Sequence, residues 1–270
     1  MPVKYSFIGV GNMAGAIIGG MERAGVKPED VCFFDTDPSK YDRFSPGYAK
    51  AASPSEAAAF ADRIVLAVKP QQFLTPLTEI RESGVSLEGK TVISIVTGKS
   101  MSDIASALGC PSLGVIRTMP NTPMLIGKGV TSLTRNGYVP DDVYEGVKEL
   151  FASLGSVLET EESRLNDIIA DTSSSPAYVF YIIKSMAENA EKHGFDKAEM
   201  TKIICDAVIG SAELLKASDK TAEELIRMVC SPGGTTLAAM KVFEEAGTAG
   251  IIDRAMDACT ARAWELAKGR

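Results

Sequence analysis

A glycine-rich turn near the start of the chain decides the fold: it reads Ile8-Gly9-Val10-Gly11-Asn12-Met13-Ala14. It follows a β-rich run, residues 3–8, and leads into a segment of small and apolar residues that favours a helix. Strand, turn and helix in this order form the Gly-x-Gly-x-x-Ala variant of the dinucleotide-binding fingerprint. Gly9 permits a tight turn, Gly11 lets the backbone approach a pyrophosphate, and Ala14 allows close packing of helix on strand. The alternative is an ordinary glycine turn that opens a helix.

Outward from this turn, short β-rich runs alternate with helical segments up to about residue 160. The clearest strands are predicted at residues 3–8, 31–34, 64–68, 91–96 and 113–117. Such alternation predicts a parallel sheet, and the last three runs are apolar enough to be covered on both faces. After about residue 163 only helical segments and turn signals follow. We therefore predict an α/β chain: a Rossmann-type dinucleotide-binding domain over residues 1–160 and an all-helical domain over residues 161–270.

The second strand ends at Asp35-Thr36-Asp37-Pro38. A carboxylate at this place conventionally accepts hydrogen bonds from the adenosine ribose hydroxyls. Asp35 would also repel a 2′-phosphate, and the nearest arginine is Arg43, so the local charge slightly favours NADH over NADPH. The alternative is that Asp35 and Asp37 only cap the following turn or helix.

Two further loops follow predicted strands: Ala67-Val68-Lys69-Pro70 and Met119-Pro120-Asn121-Thr122-Pro123. Each is also compatible with a simple proline-defined turn. With the glycine turn, they place three irregular loops at one edge of the sheet, where ligands bind in open α/β folds. We expect these loops to contact the cofactor.

The most informative stretch of the second half is Ser231-Pro232-Gly233-Gly234-Thr235-Thr236, just before another helix. Successive amides in such a turn, together with the positive end of the helix, can hold a small carboxylate without a basic side chain. The two threonine hydroxyls either cap the helix or donate a hydrogen bond to a ligand. The residues alone leave both possibilities open.

Composition excludes several other classes of function. With 28 basic and 35 acidic residues and a formal charge of −7, no basic surface is expected for nucleic acid. The five cysteines are scattered without a Cys-x-x-Cys pair and His193 is the only histidine, so we expect neither a disulfide framework nor a metal site. No apolar run approaches the roughly 18 residues of a membrane helix, and no signal-peptide pattern is present. We expect a cytoplasmic protein.

Taken together, the glycine turn, the Lys69-Pro70 and Pro120-Asn121 loops and the Ser231–Thr236 stretch resemble the pyrroline-5-carboxylate reductase family over essentially the whole chain. The resemblance implies a helical domain that binds substrate and interlocks with a second copy into a homodimer, often assembled into a decamer. It also implies reduction of 1-pyrroline-5-carboxylate to L-proline by hydride transfer from NADH or NADPH.

The same resemblance implies a set of site residues. The cofactor would be bound by Gly9, Val10, Gly11, Asn12, Met13, Asp35, Thr36, Val68, Lys69, Pro70, Thr97 and Asn121. The substrate would be bound by Ser231, Gly233, Gly234, Thr235 and Thr236. Thr236 would be catalytic through a hydrogen bond to the ring nitrogen, and Asp219 falls where the family often has an acidic residue near the substrate.

The chain departs from the family pattern at three positions: Ser173 and Ser175 stand where glycines are usual, and Pro54 stands where many members have asparagine. The first two put close backbone packing in doubt, and Pro54 cannot supply a side-chain amide to the adenosine. Two alternatives to the main interpretation stay open. One is another imine or β-hydroxyacid reductase, with Lys69 as its acid–base group, and the other is a non-catalytic dinucleotide-binding protein.

Overall fold

The computed structural model describes residues 2–268 and divides them into two compact units. The sheet unit comprises the chain up to Ser174 together with the residues from Cys259 onward, and the helical unit is Ser175–Ala258. These units do not coincide with the predicted ranges 1–160 and 161–270. The segment after residue 160 packs with the sheet unit, because Leu165 and Ile169 form a buried cluster with Met119 and Ala263.

The sheet unit contains an eight-stranded sheet with the order β3-β2-β1-β4-β5-β6-β7-β8. The strands are β1 (Tyr5–Ile8), β2 (Val31–Phe34), β3 (Ala49–Lys50), β4 (Arg63–Leu66), β5 (Thr91–Ser94), β6 (Gly114–Pro120), β7 (Gly129–Arg135) and β8 (Gly155–Glu159). The first six are parallel and follow the order 3-2-1-4-5-6 typical of dinucleotide-binding folds. The point where this order reverses lies at β1, directly before the glycine turn.

The five predicted strands are parallel, as expected, and the sheet continues at one end with an antiparallel pair. β7 pairs antiparallel with β6, and β8 then pairs parallel with β7. Residues 121–128 alone connect β6 to β7, and a parallel return requires a crossover of about a dozen residues or more. The five predicted strands are present with bounds shifted by up to three residues, whereas β3, β7 and β8 were not predicted.

Five helices cover the two faces of this sheet. They are α1 (Asn12–Arg23), α2 (Pro54–Phe60), α3 (Leu74–Ser83), α4 (Met101–Ala107) and α5 (Asp141–Ala152). Because side chains alternate along a strand, Phe7 of β1 joins the core under α1 and α5, and Ile8 joins the core under α2, α3 and α4. Burial on both faces explains the apolar runs in the sequence.

The helical unit has little core of its own. Its helices are α6 (Ser175–Lys192), α7 (Lys197–Ala217), α8 (Ala222–Val229), α9 (Thr235–Glu245) and the first part of α10 (Thr248–Ala267). Within the described part of this unit, only three apolar side chains are buried: Ile183, Ala187 and Ile204. Large apolar side chains are exposed on every helix, including Phe180, Tyr181, Leu214, Met228 and Val242. Across residues 2–268, no helix has the length and hydropathy needed to cross a membrane.

Candidate active site

The glycine turn after β1 has the backbone that the fingerprint requires. Gly9 has φ of +91°, and a Cβ there would lie 2.6 Å from the carbonyl oxygen of Ala67 at the end of β4. Gly11 is the N-cap of α1, and no side chain in the described structure caps this helix end. A Cβ on Gly11 would find no described atom within 4 Å, so the space beside it is open. Only glycine fits at position 9, and at position 11 only glycine leaves the space beside the backbone unfilled.

Neighbouring side chains fix this turn in place. The Val10 N–H donates to Asp35 Oδ2 at 2.7 Å, and the Gly9 N–H donates to the Phe34 carbonyl at 2.8 Å. From the other side, the Arg43 guanidinium donates to the Val10 and Gly11 carbonyls at 2.6 and 2.7 Å. The turn is therefore held by charge-assisted hydrogen bonds and does not depend on a ligand for its shape.

A cleft of about 350 Å³ opens beside the turn, at the carboxyl ends of β1, β2 and β4. It is lined by Ile8, Gly9, Gly11, Phe34, Asp35, Thr36, Lys40, Pro54, Ala67, Val68, Lys69, Gln72, Thr75, Pro76 and Glu79. The open space beside Gly11, which a Cβ would fill, and the uncapped start of α1 fit the phosphates of a dinucleotide.

Six of the twelve predicted cofactor residues line this cleft: Gly9, Gly11, Asp35, Thr36, Val68 and Lys69. Four others support the same loops from beneath or from outside. Val10 is fully buried, Asn12 and Met13 form the first turn of α1, and Pro70 begins the short 3₁₀ turn Pro70–Gln72. Sequence reasoning missed Lys40, Gln72, Thr75, Pro76 and Glu79. For Gln72, Thr75, Pro76 and Glu79 the nearest signal was the position of α3 shortly after the Lys69-Pro70 loop, and Lys40 lies in the 3₁₀ helix that follows β2.

Asp35 is engaged differently from the sequence expectation. Its side chain is only 6% exposed, and Oδ1 accepts hydrogen bonds from Lys40 Nζ at 2.8 Å and from the Asp37 N–H at 2.9 Å. Burial alone would raise the pKa of Asp35, but the hydrogen bonds from Lys40 and from the Val10 and Asp37 amides leave this pKa below its ordinary value. The expected preference for NADH considered only the absence of an arginine beside Asp35, and the structure places a lysine, Lys40, there instead. Asp37 caps the 3₁₀ helix Pro38–Arg43 through the Ser39 N–H, as one alternative proposed.

Thr97 and Asn121 lie beyond the ends of β5 and β6. Thr97 Oγ1 lies 3.9 Å from the sulfur of Met119, so the two strand ends are in contact. The Asn121 side chain is buried, with Nδ2 donating to the Thr172 carbonyl at 2.9 Å and Oδ1 accepting from the Val130 N–H at 2.8 Å. Its amide therefore anchors the loop to the protein. Contact of Thr97 and Asn121 with the nicotinamide end of a cofactor stays a prediction.

The second glycine turn, in the helical unit, opens α9. The Gly234 N–H donates to the Ser231 carbonyl at 2.9 Å, and Gly233 has φ of +72°. Proline at the second position and glycine with positive φ at the third are typical of a type II turn. Gly234 is the N-cap, so Thr235 and Thr236 are the first two residues of α9, and no side chain of the described residues caps this end. The helix start is exposed to solvent with its first amides available, and the threonines do not act as the cap.

Each of these two turns lies within a segment that matches a known protein family. Residues 162–266 match the family model described as pyrroline-5-carboxylate reductase dimerisation, and residues 4–98 match the model described as NADP oxidoreductase coenzyme F420-dependent. The pyrroline-5-carboxylate reductase of Escherichia coli strain K12 is 37% identical over 273 aligned positions, covering 99% of this chain and 100% of that protein. The chain belongs to the pyrroline-5-carboxylate reductase family.

Solved structures of pyrroline-5-carboxylate reductases have the same fold. The Plasmodium falciparum pyrroline carboxylate reductase with NADP bound has a TM-score of 0.90 at 26% identity, covering 98% of both chains. The Coxiella burnetii pyrroline-5-carboxylate reductase has a TM-score of 0.84 at 31% identity, again covering 98% of both chains. The sheet unit is thus an NAD(P)H-binding oxidoreductase domain. The dimerisation match and the exposed apolar helix faces support self-association of the chain.

Two departures from the pyrroline-5-carboxylate reductase pattern are accommodated without strain. Among the described residues, no residue other than glycine has positive φ, so Ser173 and Ser175 occupy ordinary backbone conformations. The Ser173 hydroxyl donates to the Met119 carbonyl at 3.3 Å, which adds a contact that glycine cannot make. Pro54 is the first residue of α2 and lines the cleft with its ring.

Asp219 and the Ser231–Gly234 turn lie at opposite ends of α8. Asp219 precedes α8, whereas Ser231 follows it, and eight residues of helix span about 12 Å. Asp219 is exposed, and its role in a pyrroline-5-carboxylate reductase site stays a prediction. In residues 2–268 no three His, Cys, Asp or Glu side chains come together as a metal site, and the five cysteines are free thiols.

Proposed function

We propose that this chain reduces 1-pyrroline-5-carboxylate to L-proline with NAD(P)H. The observation that carries the proposal is the uncapped start of α9 behind the Ser231–Gly234 turn, in a chain related over its full length to pyrroline-5-carboxylate reductases. An acidic protein with a formal charge of −7 needs such a backbone site to attract a small carboxylate.

The cofactor half of the reaction belongs to the cleft of the sheet unit. Gly9 and Gly11 admit the pyrophosphate, Thr36 lies at the adenosine end, and Val68 and Lys69 line the cofactor on the β4 side. The reduced nicotinamide supplies the hydride when it is bound. The protein then has to position the acceptor and exclude water, which is why a chain with one histidine suffices.

The substrate half belongs to the second turn. We assign the carboxylate of pyrroline-5-carboxylate to the amides of Thr235 and Thr236, with the hydroxyl of Ser231 beside them. The Gly234 N–H donates to the Ser231 carbonyl, and Gly234 thereby closes the turn that presents these amides. Thr236 Oγ1 donates a hydrogen bond and relays a proton to the nitrogen of a neutral imine, or accepts a hydrogen bond from the N–H of a protonated imine. Hydride adds to C5, the π electrons of the C=N bond move to nitrogen, and the nitrogen keeps or receives one proton. A substrate that binds as the protonated imine needs no other acid.

The simplest test compares two substrates on the purified chain. Oxidation of NADPH or NADH is followed by absorbance with pyrroline-5-carboxylate and with 1-pyrroline, which lacks the carboxylate. We expect kcat/KM to be at least about 100-fold lower for 1-pyrroline, since the lost ion contacts are worth a few kcal/mol. Equal efficiency would contradict the carboxylate site, and no cofactor oxidation with either substrate would remove the proposed activity.

Lys69 separates this proposal from the β-hydroxyacid alternative. It is exposed and lines the same cleft as Asp35. For an imine reductase we expect Lys69→Ala to change cofactor affinity several-fold and leave kcat within about threefold, because general acid–base groups contribute 10²-fold or more. A loss of several orders in kcat would favour a hydroxyacid dehydrogenase instead.

We further propose that each active site draws on two subunits of a homodimer. Gly11→Val should fold but block the cleft, and Thr236→Ala should fold but disable the substrate turn. If a site combines one subunit's cleft with its partner's turn, mixing and reassembling these two inactive variants restores activity in the hybrid dimers. Sites built within one subunit would give no restoration. Assembly to a decamer and a cytoplasmic location stay predictions, the first being open to mass measurement by light scattering.

A further inference from the structure

The cleft has a cation that the sequence did not predict. Lys40 Nζ lies 2.8 Å from Asp35 Oδ1, and the Lys40 side chain is 39% exposed where that of Asp35 is 6% exposed. Both residues line the cleft together with Thr36 and Pro54. The charge presented at this end is therefore that of an anchored ammonium, with the carboxylate buried behind it.

Three of the roughly four acceptor sites of the Asp35 carboxylate are already used by the protein. Its oxygens accept hydrogen bonds from the Val10 N–H, the Asp37 N–H and Lys40. Lys40 has three N–H donors, and one of them satisfies Asp35. The remaining donors belong to an exposed group at the adenosine end, where a 2′-phosphate would add two negative charges or slightly less.

From this arrangement we propose that Lys40, held in place by Asp35, binds the 2′-phosphate of NADPH and makes this chain select NADPH over NADH. The proposal rests on the cofactor role of the cleft but not on the identity of the imine substrate. It reverses the preference for NADH expected from Asp35 alone. In the ion pair, the carboxylate that was expected to repel the phosphate instead positions the lysine that binds it.

The other charged groups near this end carry both signs. Asp37 accepts hydrogen bonds from the Ser39 N–H and hydroxyl at 3.1 and 2.6 Å, so its carboxylate is engaged in capping. Glu79 lies on α3, and Lys69 lines the same cleft with opposite charge. Arg43 adds positive charge at the neighbouring turn, through its contacts with the Val10 and Gly11 carbonyls.

The test measures binding of two nucleotides that differ only in the phosphate: adenosine 2′,5′-bisphosphate and adenosine 5′-monophosphate. Titration calorimetry on the full chain, without any imine, keeps a failure here distinct from a failure of the proposed activity. We expect the wild type to bind the bisphosphate at least about tenfold more tightly, as a charge-assisted phosphate contact allows. Lys40→Gln should remove this difference while changing the affinity for the monophosphate less than about twofold, and Lys40→Arg should retain most of it.

Lys27 supplies the matched control, since it is an exposed lysine of the same unit paired with Glu29 at 3.8 Å, away from the cleft. Lys27→Gln should leave both affinities unchanged. Equal weakening of both nucleotides in Lys40→Gln would make Lys40 a merely structural support of Asp35 and overturn the proposal. Equal binding of the two nucleotides by the wild type would overturn it as well, and that measurement does not depend on the folding of any variant.

Discussion

The two glycine turns of this chain each open a helix, but they are supported differently. Each places a glycine at the N-cap of a helix, Gly11 for α1 and Gly234 for α9, so that no described side chain caps the first amides of the helix. The first turn is tied to Asp35, Arg43 and Phe34. The second turn is closed by its own Gly234–Ser231 hydrogen bond and is otherwise exposed.

This difference indicates what makes each turn rigid. The cofactor turn is preorganised by the packing of one sheet, because it sits at the reversal point of the strand order. The second turn belongs to a unit with three buried apolar side chains among its described residues, so we expect it to depend on a ligand and on a second copy for comparable order. Experiments that disturb one turn at a time can break or refine this view.

Valine at the positive-φ glycine of each turn gives the largest contrast. In Gly9→Val the Cβ would meet the Ala67 carbonyl at 2.6 Å, so we expect a loss of about 3 kcal/mol or more and a fall in Tm of roughly 10 °C. In Gly233→Val no described atom lies within 4 Å of the new Cβ, so only backbone strain remains, about 1–2 kcal/mol. Thermal unfolding measures both. Equal losses would show that the second turn is packed as tightly as the first.

Gly233→Val should also raise KM for pyrroline-5-carboxylate at least about tenfold, since it changes the path of the amides that hold the carboxylate. Gly9→Val disturbs the cofactor side instead. A Gly233 variant with normal KM would mean that the turn only begins the helix.

Removing the Thr236 hydroxyl tests its role in the reaction without changing the backbone of the second turn. Thr236→Ala should lower kcat about 100-fold, because the ring nitrogen loses its hydrogen-bond partner, with NADPH affinity unchanged. Thr236→Ser should restore most of the activity, and Thr235→Ala provides a control at the neighbouring position. The assignment fails if Thr236→Ala binds cofactor weakly while its kcat stays normal.

Acid titration tests how the first turn is held. Since the folded-state pKa of Asp35 lies below its ordinary value, the ionised group stabilises the fold above the unfolded carboxyl pKa of about 3.9. This contribution is lost as pH falls through the still lower folded-state pKa. We expect Asp35→Asn to cost about 1 kcal/mol at pH 7, with the difference from wild type shrinking below about pH 4. Urea unfolding at several pH values measures it, and a difference that grew on acidification would refute this account.

The smallest effect is expected where the chain lacks a family glycine. Ser173→Gly removes the hydrogen bond to the Met119 carbonyl at 3.3 Å and adds backbone freedom, so we expect a loss of about 1 kcal/mol. The matching fall in Tm is about 3 °C, with kcat within about twofold. Higher stability in the glycine variant would mean that serine strains this segment.

Much of the fold was predicted from local sequence patterns. The strand–turn–helix around Gly9 and the proline and glycines before α9 were predicted because each is imposed within a few residues. β3 and β8 were missed because one has two residues and the other is a half-exposed edge strand. No local sequence pattern predicts that the end of α10 belongs to the sheet unit, because only tertiary contacts assign its last turns to that unit.

The site shows the same limit. Gly9, Gly11 and Val68 were predicted from motifs, and all three line the same cleft. The Lys40–Asp35 ion pair was not predicted, because the 3₁₀ helix Pro38–Arg43 stands where a longer crossover helix is usual and brings the lysine back over the strand end. Counting charges along the sequence therefore predicted the wrong electrostatic environment for Asp35.

The sparse core of the helical unit has a consequence for the protein as a whole. If the exposed apolar faces of α6, α7 and α9 are covered only when two chains meet, folding of this half is linked by mass action to association. Dilution should then act as a denaturant, and the melting temperature should rise with protein concentration. A melting temperature that stayed constant over a hundredfold range of concentration would show that a single chain completes the fold alone.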